Sequence, residues 1–218
     1  MTNSGYSKLT AGLIAAWFSF SLAASAAGWF RAEPNRPPLP LLLAVVIPIT
    51  VFAMWYRSVA SFREFVLGLS PVTLTQVQAW RIVGFVFLVM YAYRLLPAEF
   101  ALPAGWGDML IGATALVAAS RLAKPNHRAG FIAWQLLGMT DLVVALGSGA
   151  AGQLLSAGKL VGSNAISTAP MTVLPLSLIP TFAVPLLFLL HVICIAQARR
   201  WAGHEVGHAG TELRSAAV

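Results

Sequence analysis

Long apolar runs separated by short polar connections are the dominant pattern of this chain. A stretch of about 17 to 25 apolar residues crosses the hydrocarbon core of a bilayer as an α-helix. Six runs are long enough, at roughly residues 9–30, 39–56, 74–95, 104–121, 130–148 and 171–197. The pattern predicts an all-α, polytopic transmembrane helix bundle of six spans over residues 1–200, followed by a short tail over residues 201–218.

The composition excludes a soluble globular protein. Of 218 residues, 58% are hydrophobic and only 10% are charged, and the mean hydropathy is +0.78. Soluble domains carry about 25% charged residues. The lipid bilayer is therefore the predicted main partner, and any function has to be located in the bundle or in the tail.

Basic residues fall mainly on one side of the six-span arrangement and predict its orientation. Cytoplasmic loops of membrane proteins carry an excess of lysine and arginine. The residues on this side are Lys8, Arg57, Arg63, Arg121, Lys124, Arg128, Arg199 and Arg200. We therefore expect both termini to be cytoplasmic. The net charge of +7 is mostly this topology signal. Nucleic acid is not an expected partner, because no basic domain with interleaved aromatic residues forms a groove.

The first span has a second interpretation as a cleaved secretory signal. Lys8, the apolar run 9–23 and the small residues 24–26 fit that pattern. However, small side chains recur every four residues on one helical face, at Ala11, Ala15, Ser19, Ala23 and Ala27. Such a face favours close helix packing. We expect the span to be retained and this face to make contacts within the bundle or between subunits of a homo-oligomer.

Four ionisable residues lie within or at the mouth of the apolar runs and are the main functional candidates: Arg81, Asp108, Asp141 and His191. A charge in hydrocarbon costs about 2.5 to 3.5 kcal/mol, so such residues face a protein interior, a cavity or each other. Counting along each span places Asp141 near the midplane. Arg81 and His191 fall in the cytoplasmic half, and Asp108 falls in the first turn of the fourth span. We predict a cation, proton or substrate site between the third, fifth and sixth spans.

Structural interpretations of the same residues remain open. Arg81 and Asp141 form a buried ion pair, or Arg81 extends back toward the cytoplasmic surface. A carboxylate at Asp108 is favoured by the nearby helix N-terminus. Asp141 is harder to explain in this way, because mostly small side chains surround it near the bilayer centre. Its helical face also carries Trp134, Gly138 and Ala145.

Two residues of the sixth span suit a metal or haem. His191 and Cys194 are three residues apart, so they share a helical face and offer ligands for haem iron, copper or zinc. The alternative is a histidine hydrogen-bonded to a neighbouring helix and a lone cysteine that acts as a small buried hydrophobic residue. The chain has no second cysteine for an intramolecular disulfide.

The tail contains an H-E-x-x-H pattern at His204, Glu205 and His208. On a helix, this spacing places two imidazoles on zinc, with Glu205 as the base that activates water, as in zinc metallopeptidases. Three glycines weaken any helix here, and no third-ligand motif is recognisable. A cytoplasmic tail that is disordered or binds metal adventitiously is the alternative.

The sixth span carries prolines at five-residue spacing, at Pro170, Pro175, Pro180 and Pro185. An interior proline bends a helix and frees the carbonyl four residues earlier. We expect Pro180 and Pro185 to free the carbonyls of Leu176 and Thr181. These carbonyls either face a cavity or find partners in neighbouring segments, and membrane helices commonly show the second arrangement.

Several stretches resemble a group of bacterial inner-membrane proteins that is uncharacterised. They are Trp80-Arg81-x-x-Gly84, Leu96–Gly105 with Gly107-Asp108, Asp141-Leu142-Val143, and Pro175–Pro180 with Pro185 and His191. The resemblance covers roughly residues 75–197 and omits the H-E-x-x-H tail. It implies a bacterial inner-membrane location and one framework for Arg81, Asp108, Asp141 and His191, but no activity.

Taken together, these features predict a membrane protein with a buried polar site for a small ligand or ion, transport-like in character. Asp141 is its central carboxylate, Arg81 the partner of Asp141, and His191 a protonation-sensitive group. We expect no resident cofactor. The alternatives are a membrane-bound zinc metallopeptidase that uses the tail and a haem- or copper-binding redox protein that uses His191.

Overall fold

The computed structural model describes residues 3–31, 38–152 and 166–201 with their side chains, and the helical backbone of residues 153–159 and 202–215. These residues form helices and connections without a β-strand. Six of their helices are long and apolar enough to cross a membrane: Asn3–Ala26, Leu39–Ser58, Pro71–Ala92, Ala98–Leu122, Pro125–Gly152 and Ile179–Trp201. The predicted all-α, six-span architecture is confirmed. The cytoplasmic placement of the termini stays a prediction.

Several spans depart from regular α-helix. The helices are α1 Asn3–Ala26, α2 Leu39–Ser58, α3 Ala60–Leu67, α4 Pro71–Val77, α5 Phe85–Ala92, α6 Ala98–Val117, α7 Arg128–Lys159 and α8 Val184–Ser215. A 3₁₀ segment, Gln78–Gly84, joins α4 to α5 within the third span. A π-helical turn, Ile179–Ala183, begins the sixth span. Runs of 3₁₀ helix longer than about four residues are uncommon, and both departures often mark strained or functional positions.

The third to sixth spans form the centre of the bundle. The fourth span packs closely against the 3₁₀ segment and against α7, and α7 packs against α8. The first two spans are peripheral: only 11% of the apolar window of the second span is buried, against 44% in the sixth. A core cluster around Phe87, Leu96 and Phe100 joins α5, α6 and the segment that contains Met171.

The end of the bundle that carries most basic residues is closed by α3 and an aromatic cluster. Phe62 of α3 stacks on Trp55, with ring centroids 3.8 Å apart, and Tyr6 of the first span packs on both rings. On the surface of this end, Arg200 binds both carboxylate oxygens of Glu64 at 3.0 Å. The hydrogen bond from Arg200 lowers the pKa of Glu64 below its usual value.

The fourth span begins earlier than predicted. Its helix starts at Ala98 rather than at residue 104, so Asp108 lies ten residues into the helix. At 1.5 Å per residue, that is about 15 Å from the helix start. The predicted first-turn position of Asp108 is therefore wrong. The helix N-terminus does not stabilise this carboxylate, because its field falls off within the first turn.

The sixth span begins later than predicted, at Ile179 rather than at residue 171. Pro170 lies in a separate 3₁₀ turn, and Pro175 precedes the span. Much of the connection from residue 166 onward packs back into the bundle, where Thr168, Thr172 and Ser177 are buried. Irregular backbone at membrane depth is tolerated where protein surrounds it.

The carbonyl freed by Pro185 finds partners in the first span. Trp17 Nε1 donates to the Thr181 carbonyl at 3.2 Å, and Ser21 Oγ donates to the same oxygen at 3.4 Å. The Leu176 carbonyl accepts from the backbone N–H of Ile179 at 3.0 Å. The expected partners in a neighbouring segment are thus found for the Thr181 carbonyl. Pro180 lies in the first turn of the span instead of its interior, and the Leu176 carbonyl is bonded within its own segment.

These contacts predict a measurable role for Trp17. Trp17→Phe keeps an aromatic ring but removes one donor to the Thr181 carbonyl. We expect a loss of about 0.5–1.5 kcal/mol in the free energy of unfolding, the usual value of one hydrogen bond. Denaturant unfolding in detergent micelles measures it. Trp29→Phe is the matched control, because Trp29 is 63% exposed. Equal losses in the two variants would contradict the assignment.

The small-residue face of the first span does not pack within the bundle. Ala11, Ala15, Ser19, Ala23 and Ala27 are all exposed. The span instead contacts the bundle through a different face, where Tyr6, Ser21 and Ala24 are buried and Trp17 meets the Phe182 ring at 4.9 Å. Of the two expected contacts of this face, the one within the bundle is therefore not made. Contact of this face between subunits stays a prediction.

Candidate functional site

The four ionisable candidates come together around the buried guanidinium of Arg81. Arg81 Nε donates to Asp108 Oδ1 at 2.7 Å, and Nη2 donates to Asp141 Oδ2. Nη1 donates to the Gly138 carbonyl at 3.1 Å and lies 3.3 Å from His191 Nε2. Arg81 is only 3% exposed, so its side chain does not extend back to the surface of the bundle. The third, fourth, fifth and sixth spans each supply one of the four side chains.

The fourth span is an addition to the predicted site, which placed the cluster between three spans. Asp108 and Asp141 share one guanidinium, and both side chains are mostly buried. The planar fork of arginine suits this arrangement, because its five N–H groups can serve several acceptors at fixed angles. With both carboxylates ionised and His191 neutral, the cluster carries one excess negative charge.

Hydrogen-bond chemistry fixes the tautomer of His191. A guanidinium has donors only, so Nε2 of His191 accepts from Arg81 and the ring proton lies on Nδ1. Nδ1 then donates to Gln135 Oε1. Gln135 Nε2 donates to Thr75 Oγ1 at 3.1 Å, and Thr75 donates to the Pro71 carbonyl at 2.8 Å. One directed chain of hydrogen bonds therefore runs from the cluster toward the start of α4.

Sequence reasoning missed the uncharged members of this polar column. Thr75, Gln78 and Gln135 are each at most 1% exposed. Gln78 Nε2 donates to the Leu187 carbonyl at 3.1 Å, while its buried Oε1 has no partner within the part of the chain that the structure describes. A signal was present, because Thr75, Gln78 and Arg81 recur every three residues. Side chains three residues apart lie on the same face of a helix.

Glycines allow the close approach that assembles the cluster. A Cβ added at Gly84 would collide with Asp108, one at Gly107 with Asp141, and one at Gly138 with the imidazole of His191. At Gly112, an added Cβ would collide with the backbone of Arg81 and Ile82. Three of the ionisable residues thus contact a glycine through their side chains, and Arg81 contacts one through its backbone.

A cavity of about 60 Å³ reaches the cluster at Asp108. It lies toward the bundle end where α2 and α6 begin, opposite the basic end, and its walls are mostly apolar. One water molecule needs about 15 Å³ of cavity volume, so a cavity of this size holds roughly four water-sized groups. Thr168 and Thr172, from the segment that packs back into the bundle, complete the lining.

The predicted metal ligands do not gather into one centre among the described residues. Both ring nitrogens of His191 are engaged by Arg81 and Gln135. The thiol of Cys194 lies 3.8 Å from Thr75 Oγ1 and 4.0 Å from the Pro71 carbonyl. No group of three or more histidine, cysteine, aspartate or glutamate residues suited to a metal occurs in the described part of the chain.

The tail motif cannot be placed in the same way. The side chains of His204, Glu205 and His208 lie outside the described residues. The geometry of the Arg81 cluster therefore does not support the zinc-peptidase alternative. It does not support the redox alternative either, because both ring nitrogens of His191 are engaged.

Comparison with known proteins gives a family without an activity. No curated protein and no solved structure matches this chain. The family described as a domain of unknown function, DUF8737, matches residues 37–199, a range that includes Arg81, Asp108, Asp141 and His191. This agrees with the resemblance to uncharacterised membrane proteins. The chain, a multi-pass membrane protein with a buried ionic cluster, belongs to the DUF8737 family.

Proposed function

We propose that this protein handles a small ligand or ion in the bacterial inner membrane, in a transport-like role. The activity is assigned to the six-span region 1–200 rather than to the tail 201–218. The observation that carries the proposal is the sharing of one buried arginine by two carboxylates and a histidine from three other spans, beside a cavity. Asp141 is the central carboxylate, Arg81 its partner and His191 the protonation-sensitive group.

The charge balance of the cluster favours a functional role over a structural one. A structural arginine needs one carboxylate, and each further buried charge adds desolvation cost. When both carboxylates are ionised, the second one leaves an excess negative charge in the interior of a membrane protein, where ionisable groups are expensive. A cation or a proton that enters the cluster removes this excess charge.

His191 links protons to the partners of Arg81. In its present tautomer, Nε2 accepts from Arg81. A proton added to Nε2 turns this atom into a donor and makes the ring positive. Two donors and two positive charges then face each other, so Arg81 moves away from His191. Proton binding at His191 therefore changes the position of the group that holds Asp108 and Asp141.

A cavity and a chain of hydrogen bonds lead from the cluster toward opposite ends of the bundle. The cavity reaches Asp108 from one end, and the column through Gln135 and Thr75 leads to the start of α4 at the other. Arg81 itself lies in the 3₁₀ segment Gln78–Gly84. A 3₁₀ segment within a helix often marks a hinge. Access from two sides around a movable charge is what a transporter requires.

The test removes the central carboxylate by Asp141→Asn. Purified protein is reconstituted in liposomes that contain a pH-sensitive dye, and proton movement is followed under imposed sodium or potassium gradients. We expect at least a tenfold loss of protein-dependent flux, because the amide cannot carry the charge that binds a cation or proton. Elution profile and melting temperature check that the variant is folded.

Glu64→Gln is the matched control, since it makes the same carboxylate-to-amide change in an exposed ion pair at the basic end. We expect its flux to equal that of the unmodified protein. Full activity of Asp141→Asn would reject the assigned role of Asp141. Flux no greater than that of protein-free liposomes, for every ion and for the small ligand considered below, would reject transport.

A further inference from the structure

We infer that the cavity beside Asp108 binds a small organic cation, a molecule with an ammonium group on a short apolar body, and that Asp108 receives the charged group. This inference rests on the proposed function and names the ligand class of the same site. It follows from the sign of the charge at the end of the cavity, from the chemistry of the walls and from the size of the space.

Asp108 lines the cavity, and one of its two carboxylate oxygens has no donor among the described residues. Oδ1 accepts from Arg81 Nε at 2.7 Å, whereas no described residue donates to Oδ2. The Asp108 side chain is 17% exposed and forms part of the cavity lining. The remaining donors of Arg81 are directed at Asp141, Gly138 and His191. An ammonium group at Oδ2 gains a charge-assisted hydrogen bond, while a carboxylate ligand would be repelled.

The walls select an organic rather than an inorganic cation. Besides Asp108, the side-chain oxygens of the described lining are the hydroxyls of Thr168 and Thr172. Thr168 Oγ1 donates to the Gly149 carbonyl at 2.9 Å and Thr172 Oγ1 donates to the Ala169 carbonyl at 2.8 Å, so each hydroxyl keeps its lone pairs, but two hydroxyls and one carboxylate offer few oxygen ligands. A hard metal cation needs about six oxygen ligands. An alkylammonium ion needs few polar partners, because its carbon chain is stabilised by apolar contact.

Aromatic and aliphatic side chains fit the body of such a ligand. Phe87 and Phe100 meet edge to face at 5.4 Å and both line the cavity, with Leu142 and Met171 nearby in the lining. Aromatic faces attract ammonium groups and bury apolar area. The cavity volume of about 60 Å³ holds roughly four water-sized groups, so it accommodates most of an ion such as n-butylammonium, which has about five non-hydrogen atoms.

The test compares three probes with the same carbon chain and different charge. n-Butylammonium, 1-butanol and butyrate are titrated into the detergent-solubilised full-length protein by calorimetry. We expect n-butylammonium to bind at least tenfold more tightly than 1-butanol, and butyrate to bind most weakly. This ranking is measured on the unmodified protein, so it does not depend on a variant that folds. Equal binding of the three probes, or no binding of n-butylammonium, overturns the inference.

Two variants assign the preference to Asp108. Asp108→Asn should reduce the n-butylammonium preference over 1-butanol to less than threefold. Glu99→Gln is its matched control, because Glu99 is an exposed carboxylate of the same helix, α6. Retention of the preference in Asp108→Asn overturns the assignment. If Asp108→Asn does not fold, Ala145→Leu replaces it, since Ala145 lines the cavity and a larger side chain there should block the ligand.

The same chemistry is offered by a free amine and by an ethanolamine lipid headgroup. Nanodiscs with and without phosphatidylethanolamine separate the two sources. Weaker n-butylammonium binding in the presence of this lipid identifies the headgroup as a ligand, and unchanged binding identifies a free amine. Both results keep the ammonium site. Proton flux in liposomes without n-butylammonium binding would overturn this inference and keep the proposed function. Binding of n-butylammonium without flux of any ion or of n-butylammonium would keep this inference and reject the proposed transport function.

Discussion

Replacement of Arg81 by methionine should lower the free energy of unfolding by about 3–5 kcal/mol, the usual cost of removing one partner from a buried ion pair. Asp108 and Asp141 would then face each other without the guanidinium that neutralises them. The Gly138 carbonyl and His191 Nε2 would lose their donor as well. Denaturant unfolding in detergent micelles, followed by tryptophan fluorescence, measures the loss.

Two further variants separate the charge effect from a packing effect. Arg57→Met makes the same substitution at an exposed position of the basic end, and its effect should be within about 0.5 kcal/mol. Arg81→Met combined with Asp108→Asn and Asp141→Asn should recover most of the lost stability, because a cluster without charge has no desolvation penalty. If the triple variant is no more stable than Arg81→Met alone, the loss does not come from unpaired carboxylates.

The approach of Arg81 and Asp141 followed from the sequence because a membrane allows few alternatives. Charges in apolar spans have to meet one another or water. Arg81 and Asp141 were predicted to approach each other on this argument, and the structure joins them. The same argument gives no partner for an uncharged side chain. Gln135 and Thr75 were therefore missed, although they complete the hydrogen-bond chain from His191.

The position of Asp108 was missed for a local reason. Pro97 and Pro103, together with the nearby glycines, resemble a connection rather than a helix. In the structure, Pro97 is the N-cap of α6, and Pro103 lies inside the helix. Membrane helices tolerate such residues because neighbouring segments satisfy the freed backbone groups. A helix that begins at Ala98 places Asp108 at the depth of Arg81, which no local pattern indicated.

A helix contact was predicted from small residues of the first span, whereas the contacts that glycines make in the fourth span were not predicted. In the first span, the face with Ala11 and Ala15 is exposed. In the fourth span, Gly107 and Gly112 lie directly against neighbouring segments. Small side chains permit close approach but do not cause it. The glycine contacts occur where the ionic cluster holds the spans together.

Gly112→Ala is accordingly expected to destabilise the protein by about 1–3 kcal/mol, the usual cost of overpacking. An added Cβ would lie 2.9 Å from the carbonyl carbon of Arg81 and would collide with the backbone nitrogen of Ile82. These are backbone atoms of the 3₁₀ segment, so they cannot move aside as the end of a flexible side chain can. Relief requires a shift of the segment that carries Arg81. The same unfolding measurement in detergent detects the loss.

Gly147→Ala is the matched control, because an added Cβ at Gly147 meets nothing within 4 Å. Alanine is favoured over glycine in a helix by about 0.5–1 kcal/mol, so this variant should equal or exceed the unmodified protein in stability. The shift of Arg81 in Gly112→Ala should also reduce proton flux in liposomes, although residue 112 carries no polar side chain. Equal stability of the two alanine variants would show that the 3₁₀ segment shifts at this contact without cost. Unchanged flux in Gly112→Ala would show that the shift of the 3₁₀ segment leaves Arg81 in place.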